Sequence, residues 1–373
     1  MNNNFSALIF SDSYESATNE LTKNRTLASI PIAGRFRTID FILSALVNAN
    51  VSNVAVITKS NYASLGDHLS GGMHWDLNHR NSGLRVLSPF FKTENNNEAF
   101  MARGRLDALR SVQLHIKSIK QDYVVLANAN IIANIDFNEV FKNHLLSGAD
   151  ITAVYSNIVS TSKRNLSLSV DKNQRINEIT YATKQGEKQN ISLSVYVMKR
   201  DFLLNVIATA DAHDHYSFEK YALINQTENF VINGYEHKGY ASIIRSVKDY
   251  YDTNMQLLQS DLRKEVFLNE RPVITRPMDT VPTLYQFNAH IENSLIADGC
   301  KIDGTVKNSI IFRNVRVETG VVIENSIVMQ NSVIRKNSVV KNVILDKNCE
   351  IFEYKTLIGD KQYPYVITKG TTI

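Results

Sequence analysis

Residues 315–351 read VRVETG VVIENS IVMQNS VIRKNS VVKNVI LDKNCE I, and an aliphatic residue heads every block of six: Val315, Val321, Ile327, Val333, Val339, Leu345 and Ile351. A six-residue aliphatic period marks a parallel β-helix, in which each flat of a triangular coil takes one hexad and points its aliphatic residue inward. The dipeptide Asn-Ser recurs beside the period at Asn325-Ser326, Asn331-Ser332 and Asn337-Ser338. Asn tolerates the left-handed backbone that a coil corner requires. The pattern predicts a left-handed parallel β-helix over residues 285–373, with Ile296 and Ile302 as an earlier coil before a slip in register. A stack of coils ends in open strand edges, so this part is also a candidate surface for association. Other β-helices carry acyltransferase chemistry on a coil histidine; the nearest candidate, His290, precedes the clear repeats.

Upstream of the repeats the periodicity alternates between strand and helix. Phe5 to Phe10, Val54 to Ile57, Tyr123 to Leu126 and Ile151 to Tyr155 read as short apolar strands. Ile39, Ile42, Leu43, Leu46 and Val47 share one helical face, and Leu106, Leu109, Val112 and Ile116 stripe another helix. The alternation predicts an α/β layered domain with a mostly parallel sheet over residues 1–262, closing with a helix from about Val247 to Leu262. Residues 263–284 hold Pro272, Pro277 and Pro282 and read as a linker. In such sheets ligands sit at the carboxyl ends of the strands. The loops after Phe10, Ile57 and Leu126 are therefore where chemistry is expected.

Composition narrows the function classes. The 373 residues are 43% apolar, enough for a sizeable core. The formal charge is only +4, with no basic run, so no nucleic-acid partner is expected. No run approaches the roughly 18 apolar residues of a membrane span, and the N-terminus lacks a signal-peptide pattern, so a cytoplasmic protein with no membrane partner is expected. Cys300 and Cys349 have no metal-ligand spacing and read as reduced, buried thiols. His213 and His215 form the only close histidine pair and lack a third ligand, so no metal site is expected there. Trp75 reads as a packing anchor, with a base-stacking platform as the alternative.

Several stretches then carry a resemblance. Leu21-Thr22-Lys23-Asn24-Arg25 precedes Ala33-Gly34-Arg35-Phe36-Arg37-Thr38-Ile39-Asp40-Phe41. Further on come Val56-Ile57-Thr58, Leu65-Gly66-Asp67-His68-Leu69, Trp75-Asp76-Leu77, Val86-Leu87-Ser88-Pro89 and Arg103-Gly104 with Asp107-Ala108. Over essentially the whole chain this is similar to the bacterial ADP-glucose pyrophosphorylase family, the glucose-1-phosphate adenylyltransferases. The resemblance implies a Rossmann-like nucleotidyltransferase domain followed by the hexapeptide-repeat β-helix. In that family glucose 1-phosphate attacks the α-phosphate of ATP, giving ADP-glucose and pyrophosphate. Oxyanion meets triphosphate there, so catalysis is mostly positioning and charge stabilisation.

The family's devices for that task are replaced here. Its glycine-rich loop falls on Ser11-Asp12-Ser13-Tyr14-Glu15-Ser16-Ala17, which has no glycine to let backbone N–H groups cradle phosphate, and Asp12 and Glu15 would repel it. The position of its lysine in an R-x-K-P segment is Leu27, with the arginine kept as Arg25. Its two magnesium carboxylates fall on Asn130 and Ile243, and its sugar-phosphate lysine falls near Ala182, with Lys184 close by. The resemblance therefore implies a GlgD-type non-catalytic subunit in glycogen biosynthesis. Such a subunit holds no cofactor of its own, with magnesium in a catalytic partner subunit, and it tunes that partner within a hetero-oligomer, a mixed tetramer. The alternatives are a weak homomeric nucleotidyltransferase, with Asp12 or Asp136 taking over magnesium, and a stand-alone sugar-phosphate sensor.

Four cations remain as candidate effector or anion ligands. Arg35 and Arg37 adjoin the family's effector-binding segment; the competing reading pairs them with carboxylates such as Asp40. Arg25 and Arg103 are candidates for an anion left in the cleft; the competing reading pairs them with Asp12, Glu15 or Asp107.

Overall fold

The computed structural model describes residues 4–12, 18–58, 61–79, 82–88, 90–93 and 96–373. Ser13, Tyr14, Glu15, Ser16 and Ala17 of the replaced loop lie outside the described residues, as does Pro89.

The apolar strand Phe5–Phe10, buried at all six positions, lies between Tyr123–Asn128 and Asn53–Ile57, both parallel to it, and Gly83–Leu87 extends the parallel half. Strands buried on both faces read as continuous apolar runs, as Phe5–Phe10 does, whereas the edge strand Gly83–Leu87 is buried only at Gly83. The sheet is not mostly parallel, however. The long strand Lys188–Lys199 joins Tyr123–Asn128 antiparallel and carries Ile151–Val159 and Leu166–Val170 antiparallel as well. This half is built from hairpin-type pairs whose order the sequence pattern alone does not give. The nine-stranded result is mixed, with separate apolar clusters on its two faces.

Helix Thr38–Asn48 buries Ile39, Phe41, Ile42, Leu43 and Leu46, as its periodicity predicts. Its start is fixed by Asp40, whose carboxylate accepts the Arg37 backbone N–H at 2.9 Å. Two expected helices are each broken. The Leu106–Ile116 stripe is carried by Arg105–Ser111 and Gln113–Ser118, where Ser111 Oγ turns back to the Ala108 carbonyl at 2.7 Å. The helix expected from Val247 to Leu262 is Val247–Gln256 followed by Ser260–Val266, so residue 263 is still helical. The Leu257 and Leu258 carbonyls freed at that break are both taken up by Arg263 Nη1 at 3.0 Å.

The following stretch is strapped to the α/β domain. Ser44 exchanges hydrogen bonds with Ile274, and Asn134 Nδ2 holds the Val266 and Arg271 carbonyls at 2.8 Å.

From Leu284–Tyr285 onward, three five-stranded parallel sheets form the flats of a left-handed β-helix. The coil is tighter than the hexads suggest. Arg316 pairs with Val333 and Val333 with Glu350, so a coil takes 17 residues, one short of three hexads. The corners show where the residue is saved. Positive φ falls at Asn308, Asn314, Gly320, Asn325, Asn331, Asn337, Asn342, Asn348 and Tyr354, so every third flat has five residues. The saved residue moves the inward position, and Ile334 and Val340 fill the interior while Val333 and Val339 are only half-buried. The earlier slip is a shorter coil, since His290 pairs with Thr305 only 15 residues on. Buried Asn-Ser serines tie coils together; Ser332 Oγ, for example, bonds to the Asp346 carbonyl at 3.1 Å.

No described helix is long and apolar enough to cross a membrane.

Candidate functional site

Two places concentrate the residues singled out by sequence: the carboxyl-end cleft of the sheet, and the seam between sheet domain and β-helix.

In the cleft, the strand Ile131–Ala133 pairs antiparallel with Ala241–Ile243 and brings the two candidate metal positions side by side. Asn130 Nδ2 donates to the Ile244 carbonyl at 2.8 Å, and Ile244 N–H returns to the Asn130 carbonyl at 2.9 Å. Asn130 Oδ1 is buried with no partner among the described residues, and Ile243 is 7% exposed in the apolar cluster. One neutral amide oxygen beside an aliphatic chain does not fit a divalent cation, which requires several oxygen ligands including carboxylates. Among the described residues no group of three acidic, His or Cys side chains is arranged for a metal. The carboxylates considered as substitutes are engaged elsewhere. Asp12 accepts from Leu27 N–H at 2.9 Å and from Ser11 Oγ at 2.8 Å. Asp136 caps helix Phe137–Ser147 and meets Arg271 Nη1 at 2.7 Å.

Leu27 opens a short 3-10 turn, Leu27–Ser29, and is buried in a cluster that includes Phe312, Ile327 and Met329 of the β-helix. Its side chain thus packs the seam. Ala182 is buried at 3%, and Lys184 pairs at the surface with Glu187 at 3.4 Å. Trp75 is 1% exposed in the core, edge-on to His68 at 5.6 Å, which settles it as a packing anchor. Cys300 and Cys349 are buried free thiols whose pKa is raised by burial.

The four candidate arginines separate. Arg25 is not a cleft anion ligand. Its Nη2 grips both oxygens of Asp346 on the β-helix at 2.6 Å, and each side chain is 3% exposed. The partner is neither Asp12 nor Asp107. Arg103 pairs with Asp107 at 2.8 Å and Asp214 at 2.7 Å, so its charge is answered on the surface. Arg37 departs from the expected pairing. Its guanidinium donates to Ser29 O at 3.1 Å and Ser64 Oγ at 2.8 Å, while Asp40 turns to His68 Nε2 at 2.5 Å. Burial is the main cause that lowers the Arg37 pKa to about 10. Arg35 is exposed beside the Phe36 ring, 5.6 Å from its centroid.

Arg35 and Arg37 line one cavity of about 340 Å³ at the seam, together with Arg276, Arg313 and Lys347. Arg276 comes from the linker, and Arg313 and Lys347 come from the β-helix. Sequence reading missed all three, because no spacing relates them to Arg35 and only the docking of the two domains assembles them. Burial, with Arg37 and Arg25 nearby, lowers the Lys347 pKa to about 7. Such a concentration of cations around a pocket suits a phosphorylated ligand.

With this geometry in view, residues 19–259 match the nucleotidyl transferase family, and residues 277–363 match the GlmU-like C-terminal hexapeptide family. The chain is 34% identical to the glycogen biosynthesis protein GlgD of Bacillus subtilis (strain 168), over 99% of this chain and 97% of that protein. It is 33% identical to the glycogen biosynthesis protein GlgD of Geobacillus stearothermophilus, over 100% of this chain and 98% of that protein.

Proposed function

The chain belongs to the ADP-glucose pyrophosphorylase family of nucleotidyl transferases, in its GlgD-type branch, and from that premise we propose that it serves glycogen biosynthesis as a modulatory subunit rather than as a catalyst. The observation that carries this reading is the pair Asn130 and Ile243. They stand together where the family's metal carboxylates are expected, and neither supplies a carboxylate to a divalent cation. Without that metal the charge of a triphosphate under attack goes unanswered. Leu27 adds to the case, since the position expected to hold a phosphate-binding lysine packs the domain seam instead.

What such a subunit contributes must come from its surfaces and its seam. The partner is a catalytic subunit of the same family, in a mixed tetramer. The cation-lined seam pocket is the effector site, with Arg35, Arg37, Arg276, Arg313 and Lys347 holding a phosphorylated metabolite between the domains. A ligand clasped by both domains fixes their relative position, which is a route by which binding reaches a neighbouring subunit. Co-expression with the catalytic subunit and native mass measurement test the assembly. A stable mixed oligomer is expected; two separate homomeric species would sink the proposal.

A further inference from the structure

Two cavities, of about 700 and 590 Å³, meet at the segment Glu236-His237-Lys238-Gly239. The larger runs from the end of strand Ile151–Val159 to helices Val247–Gln256 and Ser260–Val266, and the smaller continues past Tyr235 to Arg271. Their linings share no residue with the seam pocket, nor with the pocket between Arg103, Tyr181 and Arg245. The segment between them is held in place. His237 N–H donates to the Tyr155 carbonyl at 2.7 Å, and Ser156 Oγ donates to the His237 carbonyl at 2.8 Å.

The walls have the chemistry of a polyol site. Ser156, Asn157, Thr161, Ser242, Gln256 and Gln259 bring hydroxyl and amide groups to the larger cavity. Glu236 and Glu265 are exposed and line both cavities. Asn165 also lines the larger one and is 3% exposed. Its Nδ2 donates to Ser160 Oγ at 3.3 Å, but its Oδ1 is buried with no donor among the described residues. A buried acceptor left unmade is costly, so it calls for a donor. A phosphate dianion has no hydrogen to give it; a sugar hydroxyl has. Carboxylates outnumber cations around both cavities, which disfavours an anionic ligand. A cation is not favoured either, since Asp136 is answered by Arg271 at 2.7 Å and Asp252 by Lys248.

We propose that this groove holds a neutral oligosaccharide, a chain of α-linked glucose units whose hydroxyls donate to Asn165, Glu236 and Glu265 and accept from the amides and hydroxyls of the walls. Tyr235 and Tyr240, half-buried and one in each cavity, offer aromatic faces to the CH side of a pyranose ring. Each cavity lies within the roughly 300–1,000 Å³ of ordinary ligand pockets, and two that meet give room for a chain. The neutral polyol follows from the walls alone; the α-linked glucan rests on the glycogen-biosynthesis reading.

The test is calorimetric titration of the full chain, without a partner subunit, with maltoheptaose and, separately, with the β-linked cellohexaose. Maltoheptaose should bind with a dissociation constant of about 1 mM or tighter, and cellohexaose about tenfold more weakly or worse. Glu236→Ala combined with Glu265→Ala, at two exposed positions, should weaken maltoheptaose by about tenfold or more. Asn165→Leu, which removes the orphaned acceptor, should weaken it as well, and the surface pair covers the case in which Asn165→Leu does not fold. The inference is overturned if maltoheptaose does not bind at about 10 mM, if cellohexaose binds as tightly, or if either folded variant binds as tightly as its parent. It is overturned too if a polylysine peptide binds where maltoheptaose does not, which would assign the groove to a basic chain. Because the chain is tested alone, a negative result leaves the modulatory reading standing.

Discussion

Removing the Arg25 guanidinium leaves the Asp346 carboxylate buried at 3% exposure without its cation. Breaking a buried pair from one side costs about 3–5 kcal/mol, whereas replacing both partners by apolar groups is often neutral. Arg25→Met should therefore lose about that much in urea unfolding, and adding Asp346→Leu should recover most of it. Equal stability of wild type and Arg25→Met would contradict the assignment. Arg25 was visible in the sequence as a retained family position. Its partner 321 residues away was not, because a salt bridge between domains leaves no periodic trace. Lys347 gives a pH dependence. Desolvation, Arg37, Arg25 and Lys369 disfavour its charged form and Asp346 favours it, which brings the pKa down to about 7 from the ordinary lysine value of 10.5. Between those values the unfolded chain holds the proton and the folded chain does not, so this residue contributes rising stability as pH climbs from about 7. A phosphorylated ligand in the seam pocket favours the charged form. Its binding should then take up a proton near neutral pH and weaken from pH 6 to pH 8.5, read by calorimetry in buffers of different ionisation enthalpy. Affinity that does not change across that range would argue against Lys347 as a ligand.

At the scale of elements, the corners of the β-helix show what a hexad pattern conveys and what it omits. The existence and span of the coil were legible from the aliphatic period and the Asn-Ser pairs. The 17-residue repeat was not, because one dropped residue in three hexads leaves a run of aliphatic residues looking regular while Ile334 and Val340 take the interior from Val333 and Val339. Asn331 holds φ 62° and sits in a ladder, with its side chain 3.3 Å from Asn314 and 3.2 Å from Asn348. Asn331→Ala should cost about 1–2 kcal/mol for the left-handed backbone, and Asn331→Gly should cost less, in thermal unfolding of the whole chain. The broken helices have the same origin as the missed repeat. Arg263, which takes up the carbonyls freed at Leu257 and Leu258, makes a break affordable at a place where periodicity alone reads straight through.

At the scale of the molecule, one apolar cluster runs from Leu21 and Leu27 through Tyr250 and Tyr251 into Phe312, Ile327 and Ile344, so the two domains share a core. The Tyr251 hydroxyl adds a bond to the Asn325 carbonyl at 2.6 Å across the same seam. In the cleft, the resemblance singled out Leu27, Asn130 and Ile243, and the structure sets Asn130 beside Ile243 while it packs Leu27 in the seam. The seam pocket was legible only in its Arg35 and Arg37 half, because its other cations arrive by tertiary docking. The central claim is that this chain tunes a reaction it does not perform. The direct measurement is the steady-state rate of ADP-glucose formation by the catalytic subunit at fixed concentration, titrated with this chain, beside the chain alone. The account predicts a saturable change in the partner's rate and, from the chain alone, turnover far below the roughly 1 per second at the low end of typical enzymes. Turnover at that rate by the chain alone, or a partner rate that does not respond to it, would contradict the account.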